Sequence, residues 1–168
     1  MKTLALIIGL TATAFFLLGY LMKERKRIIL FNVTSRVLYI LQYVLLGAFE
    51  GAALDIAGAA ATVFAQKKDL PFIKKHLKLA FSAVNIIIII TGLSLYKNIY
   101  SLLPIMGVML HTGAFWLDDE KYVRRVSLIG SPFWLVYNFV SGAYGSCVGD
   151  TLSIIFLISS IYRYDIKQ

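Results

Sequence analysis

Four ionisable side chains stand inside otherwise apolar stretches of this chain: Arg36, Asp55, His111 and Asp150. A charge at the centre of a bilayer costs about 2.5–3.5 kcal/mol on insertion scales, so such groups face a bundle interior or water and often mark a functional position. The two aspartates recur in one setting. The turns Gly47-Ala48-Phe49-Glu50-Gly51 and Gly142-Ala143-Tyr144-Gly145-Ser146 each join two apolar helices, and an Asp lies eight residues after the first glycine of each. A carboxylate there can hold a cation or take up a proton. It can also simply cap the helix that follows, because a negative charge suits a helix N-terminus. Asn138 and Gln42 can read a polar ligand or bond across helices. Tyr39 and Trp134 can stack on a ring-shaped substrate or pack the interior. Arg36 can pair with a carboxylate, contact a ligand or snorkel toward a membrane face. His111 suits a proton relay or a hydrogen-bonded structural role.

These residues need a frame, and composition sets it. The 168 residues are 59% hydrophobic and 15% charged, with mean hydropathy +0.76. A soluble domain carries about 25% charged residues. Runs of eighteen or more nearly uncharged residues recur, each long enough to cross a hydrocarbon core of about 30 Å as a helix. The runs are continuous, as in Asn85-Ile86-Ile87-Ile88-Ile89-Ile90, and not alternating, so helices are expected over a barrel. Spans are expected at 4–22, 28–46, 52–66, 77–95, 99–117, 124–143 and 147–162, with very short loops. Lys2, an apolar core and Ala12-Thr13-Ala14 imitate a signal peptide. The apolar run continues through Phe15-Phe16-Leu17-Leu18, and the first span is read as retained. The sequon Asn32-Val33-Thr34 is read as chance.

The net charge of +8 would suggest nucleic acid in a soluble protein. Here fourteen of the seventeen Lys and Arg residues fall in the loops on one side of the spans, at 23–27, 67–78, 121–125 and 163–167. The other side has only Lys2 and Lys97. Positive loops face the cytoplasm, so the N-terminus is expected outside and the C-terminus inside, with both Gly-Ala turns outside. The basic clusters then meet lipid head groups. At about 1.5 Å per residue, Asp55 and Asp150 lie about 5–6 Å from the outer ends, Gln42 and Asn138 about 9 Å, and Arg36, His111 and Asn85 about 15–18 Å. That makes two polar layers of one vestibule.

Sliding the chain by 95 residues lays the first three spans over the last three. Asp55 meets Asp150, Tyr39 meets Trp134, Tyr20 meets Phe115 and Lys26 meets Lys121. The warrant is the coincidence of boundaries, basic loops and turn-plus-Asp clusters, not identity. The expected fold is all-α and polytopic: seven transmembrane helices as a 3+1+3 parallel repeat. It forms a single membrane domain over 1–168, with repeat 1 at 4–69, a linker helix at 77–95 and repeat 2 at 99–165. Parallel repeats occur among transporters, with sites at the repeat interface. The linker helix is apolar all round and reads as lipid-facing. On the third span, Gly51, Asp55, Gly58, Ala59 and Thr62 share a small-residue face suited to close helix contact or to bordering a cavity. Pro132 can kink the sixth span.

The stretch Phe16-Leu17-Leu18-Gly19-Tyr20, with Ser35-Arg36-Val37-Leu38-Tyr39 and the Leu46-Gly47-Ala48 turn, resembles the bacterial YgjV-like inner-membrane family. The seven-helix pattern resembles SWEET-type and PnuC-type (MtN3-like) transporters. The first resemblance implies a bacterial inner (plasma) membrane protein. The second implies substrate contact on the third helix of each half. The positions matching by place are Asp55 and Asp150, where the sugar carriers have amides, and carboxylates suit a cationic or proton-coupled substrate better.

The expected function is a small-solute transporter or facilitator, with Asp55, Asp150, Asn138, Gln42, Arg36, His111, Tyr39 and Trp134 as substrate-binding candidates. The alternative is a non-transporting membrane partner or assembly subunit. Catalytic motifs, a phosphate loop and paired metal ligands are missing, and Cys147 is the sole cysteine. No enzyme activity, cofactor, metal or nucleic-acid partner is expected. The expected partners are the lipid bilayer and a small solute, and a homo-oligomer stays open.

Overall fold

The computed structural model describes residues 1–21 and 25–167, and within them the side chains of all but 19–21, 25–29 and 32. The 23–27 cluster, the Tyr20/Phe115 and Lys26/Lys121 correspondences and the Asn32 sequon fall outside the described side chains. Eight α-helices and no strand occur among the described residues. They are α1 (Lys2–Leu21), α2 (Arg25–Leu46), α3 (Phe49–Ala65), α4 (Pro71–Lys75), α5 (Leu77–Ser94), α6 (Leu102–Ala114), α7 (Glu120–Ser141) and α8 (Tyr144–Ile161). A 3-10 turn (Ile99–Ser101) leads into α6, and a π-helical turn (Tyr162–Ile166) follows α8.

The two Gly-Ala turns are conformational copies. Gly47 and Gly142 have φ of +70° and +76°, the left-handed region that ends helices and favours glycine. The amide of Ala48 bonds the Tyr43 carbonyl at 2.9 Å, and that of Ala143 bonds the Asn138 carbonyl at 2.8 Å. Each turn is thus closed within two residues. Helices α3 and α8 begin at Phe49 and Tyr144, three residues earlier than apolar runs suggest. Asp55 and Asp150 therefore sit well inside their helices, about 4.5 Å deeper than expected. They are not caps: Ala48 and Ala143 hold those positions and make no side-chain cap bond.

Six helices pack in a closed order, α1–α2–α3–α6–α7–α8 and back to α1, each chiefly against its two neighbours. Helix α5 lies outside this ring against α3 and α6. Most of its surface is exposed, and one narrow side packs on the ring. Ile88 and Gly92 are buried, because Gly92 admits Ile105 where a Cβ would come within 2.3 Å of it. Ile86, Ile87 and Ile90 remain exposed. The α5 helix and the stretch Tyr144–Ile166 are long and apolar enough to cross a bilayer by length and composition; Lys2–Leu18, Val33–Leu46 and Ile99–Ala114 are shorter apolar stretches. Helix α7 continues through Pro132.

The end of the ring away from the Gly-Ala turns is basic. Lys68 Nζ bonds the Leu117 carbonyl at 2.8 Å and Asp118 at 2.7 Å, tying the end of α3 to the loop before α7. Arg124 pairs with Asp165, tying the start of α7 to the turn after α8. At the opposite end Lys97 bonds the Gly47 carbonyl at 2.7 Å and lies 3.0 Å from the buried Glu50.

Candidate functional site

Inside the ring is a cavity of about 830 Å³, within the usual range for a small-molecule site. Of the eight candidates expected from the sequence, all but Gln42 line it: Arg36, Tyr39, Asp55, His111, Trp134, Asn138 and Asp150. The lining runs from Asn138 and Ser146 near the Gly-Ala turns to Thr62, Phe115 and Ser160 near the basic end.

The carboxylates have unlike partners. Arg36 Nη1 donates to Asp55 Oδ1 at 2.9 Å, bridging α2 and α3, with both side chains largely enclosed. This merges the two polar layers expected from depth: Asp55 starts deeper than the apolar runs imply, and the long guanidinium arm covers the remaining rise. Of the three roles open to Arg36, the geometry selects pairing, since the side chain turns inward to a carboxylate. Asp150 meets no cation among the described residues. Its Oδ2 accepts from Asn138 Nδ2 at 2.7 Å, across the α7–α8 hairpin.

A layer of hydrogen bonds seals the turn end. Tyr43 donates to Asn138 Oδ1 at 2.8 Å. Ser146 donates to Gln42 Oε1 at 2.6 Å. The Gly51 amide donates to the Tyr137 hydroxyl at 3.0 Å. Tyr43, Gln42, Tyr137, Asn138 and Ser146 are all buried. Gln42 thus departs from expectation: it faces α8 and Gly9 of α1, not the cavity, because Gly9 leaves room for its amide. Tyr43 and Asn138 are 95 residues apart, the interval that also separates the two Gly-Ala turns and the two aspartates. At the same interval Gly51 corresponds to Ser146 and Gln42 to Tyr137, so the two flanking bonds join counterparts crosswise.

The walls are aromatic and hydroxylic. Trp134 stacks on Tyr43 with centroids 6.3 Å apart and rests on Gly107 of α6. The Tyr39 hydroxyl lies 2.8 Å from the Thr13 hydroxyl and sits over Gly149, next to Asp150. His111 Nε2 lies 3.3 Å from the Ser131 hydroxyl and packs on Gly130. Ser127, Ser131, Ser146, Ser153 and Ser160 also line the cavity. Sequence reasoning missed them, although Ser127/Ser131 and Ser146/Ser153/Ser160 recur at helical spacing, a detectable stripe. Asn85 is not part of the site; its amide bonds the Phe81 carbonyl of its own helix at 2.9 Å. The small-residue face of α3 is used internally: Gly51 packs on Tyr137, Gly58 on Val108, and Asp55, Gly58 and Thr62 border the cavity.

The cavity thus presents an ion pair, a carboxyl group held by an amide, hydroxyls and aromatic side chains.

The model of one family, Imp-YgjV, described as bacterial inner membrane protein, matches residues 3–168. The chain belongs to this family. No curated protein matches it. No solved structure matches it.

Proposed function

We propose, from the premise that the chain is a bacterial inner membrane protein, that it is a carrier or facilitator for a small solute and not an enzyme. The solute occupies the cavity inside the helix ring. The observation that carries this reading is that cavity, walled mainly by apolar surface with a few converging polar groups, and closed over at the Gly-Ala turn end by buried hydrogen bonds. On this reading α1, α2, α3, α5, α6, α7 and α8 are seven spans in a 3+1+3 parallel repeat. The packing order supports it, since each contact of α1–α3 has a counterpart among α6–α8. So does the Tyr43–Asn138 bond, because a residue that touches its own counterpart lies on the axis relating two repeats. Parallel repeats turn about an axis along the membrane normal. The charge bias then orients the Gly-Ala turns outward and the basic end to the cytoplasm, with the N-terminus outside and the C-terminus inside. Breaking the Tyr43–Asn138, Gln42–Ser146 and Gly51–Tyr137 bonds opens the other side.

The test is protein-dependent flux from liposomes loaded with a mixture of small metabolites, read by mass spectrometry. At least one solute is expected to exchange, and Asp55→Asn with Asp150→Asn is expected to abolish that exchange. No flux, together with a stoichiometric co-purifying protein, sinks the carrier and favours an assembly subunit. Topology is tested in whole cells with variants lacking the native cysteine. An impermeant maleimide is expected to label Tyr144→Cys directly and Lys75→Cys only after permeabilisation; the reverse pattern overturns the orientation.

A further inference from the structure

We infer that the cavity takes a monovalent organic cation with an aromatic or similarly flat body, its positive centre at Asp150 and its body between Tyr39 and Trp134. This deepens the carrier reading and rests on it for the site. Among the described residues that line the cavity, Arg36 pairs with Asp55 at 2.9 Å, and no cation stands beside Asp150. The Asn138 amide orients Asp150 without neutralising it. Two aromatic side chains line the same cavity. Trp134 lies one helical turn before Asn138 on the same face of α7, and the Tyr39 hydroxyl rests over Gly149. One carboxylate with aromatic walls is the recognition chemistry of a soft organic cation, attracted to both the charge and the ring quadrupoles. A hard metal ion takes six or more oxygens instead, and no group of three His, Cys, Asp or Glu side chains suited to a metal occurs among the described residues. An anion would face Asp150 unscreened, because Arg36 is already engaged by Asp55.

Three probes of similar size separate the alternatives: N-methylpyridinium, the neutral pyridine N-oxide and anionic benzoate. Each is titrated into the purified full chain in nanodiscs, with binding read by calorimetry. N-methylpyridinium is expected to bind at least about tenfold more tightly than the other two, the worth of one charge-assisted contact. Asp150→Asn is expected to erase that preference and Asp150→Glu to retain part of it. Equal binding of cation and N-oxide, preference for benzoate, or an unchanged preference in folded Asp150→Asn protein overturns the inference. Cation binding without any solute flux upholds the ligand class and removes the carrier. Flux of a neutral solute without cation preference does the opposite.

Discussion

Asp55 meets a guanidinium, and Asp150, at the counterpart position 95 residues on, meets an amide. The backbones that present them match: the same left-handed glycine, the same closing hydrogen bond, the same start of the following helix. What differs is the side chain reaching across. In the first hairpin it is Arg36 from α2; the counterpart of Arg36 is Ser131, which bonds the Ser127 carbonyl of its own helix. Asn138 reaches the second carboxylate instead, from one layer nearer the turn. The turns differ too: the first carries Glu50 beneath Lys97, and the second has Gly145 at the same place, pressed against the α1 backbone. Two similar hairpins thus hold their carboxyl groups differently, one on a guanidinium and the other on an amide.

The largest expected effect tests the turns. A Cβ on Gly145 would stand 2.6 Å from the Gly9 backbone, and backbone on both sides cannot give way. Gly145→Ala should cost about 3 kcal/mol, measured by unfolding in mixed micelles. Glu50→Ala, at the counterpart, should cost clearly less, because it only frees the half-exposed Lys97. Equal costs would erase this difference between the hairpins.

Next come the carboxylates. Arg36→Met leaves Asp55 enclosed and unpaired and should cost about 2 kcal/mol. Adding Asp55→Asn should recover most of it, because the orphaned charge is gone. Asp150→Asn in the second hairpin should cost little, having no cation to orphan. If it destabilises as much as Arg36→Met, Asp150 has a cationic partner and the asymmetry is broken.

The smallest effect is at the basic end. Lys68 beside Asp118 holds that carboxyl below its usual range. A lowered folded pKa adds stability that is present above the ordinary carboxylate pKa and lost as pH falls through the lowered value. Asp118 is exposed, so wild type and Lys68→Met should differ only slightly in Tm at neutral pH and converge at acid pH.

Much of the frame is legible in the chain. The long helices follow from continuous apolar runs, and the ends of α2 and α7 from Gly47 and Gly142. All but one of the candidate residues line one cavity, because ionisable and amide side chains among apolar spans avoid lipid. Gln42 is the exception because sequence cannot reveal the gap that Gly9 leaves beside it. The linker helix lies outside the ring with most of its surface exposed, but its all-apolar surface hides which side Gly92 opens to Ile105. The aspartates lie deeper than expected, because the turn closes in two residues and apolarity does not mark where a helix restarts.

By itself the sequence determined an all-helical chain for a bilayer and two Gly-Ala hairpins bearing carboxylates, through hydropathy and backbone preference, which are local properties. Which carboxylate is neutralised was decided only in the tertiary structure. That depends on the reach of Arg36 across α2 to α3 and of Asn138 across α7 to α8, and on the bond from Tyr43 to its own counterpart. Such pairings are set by distances between helices, and no spacing along one helix encodes them.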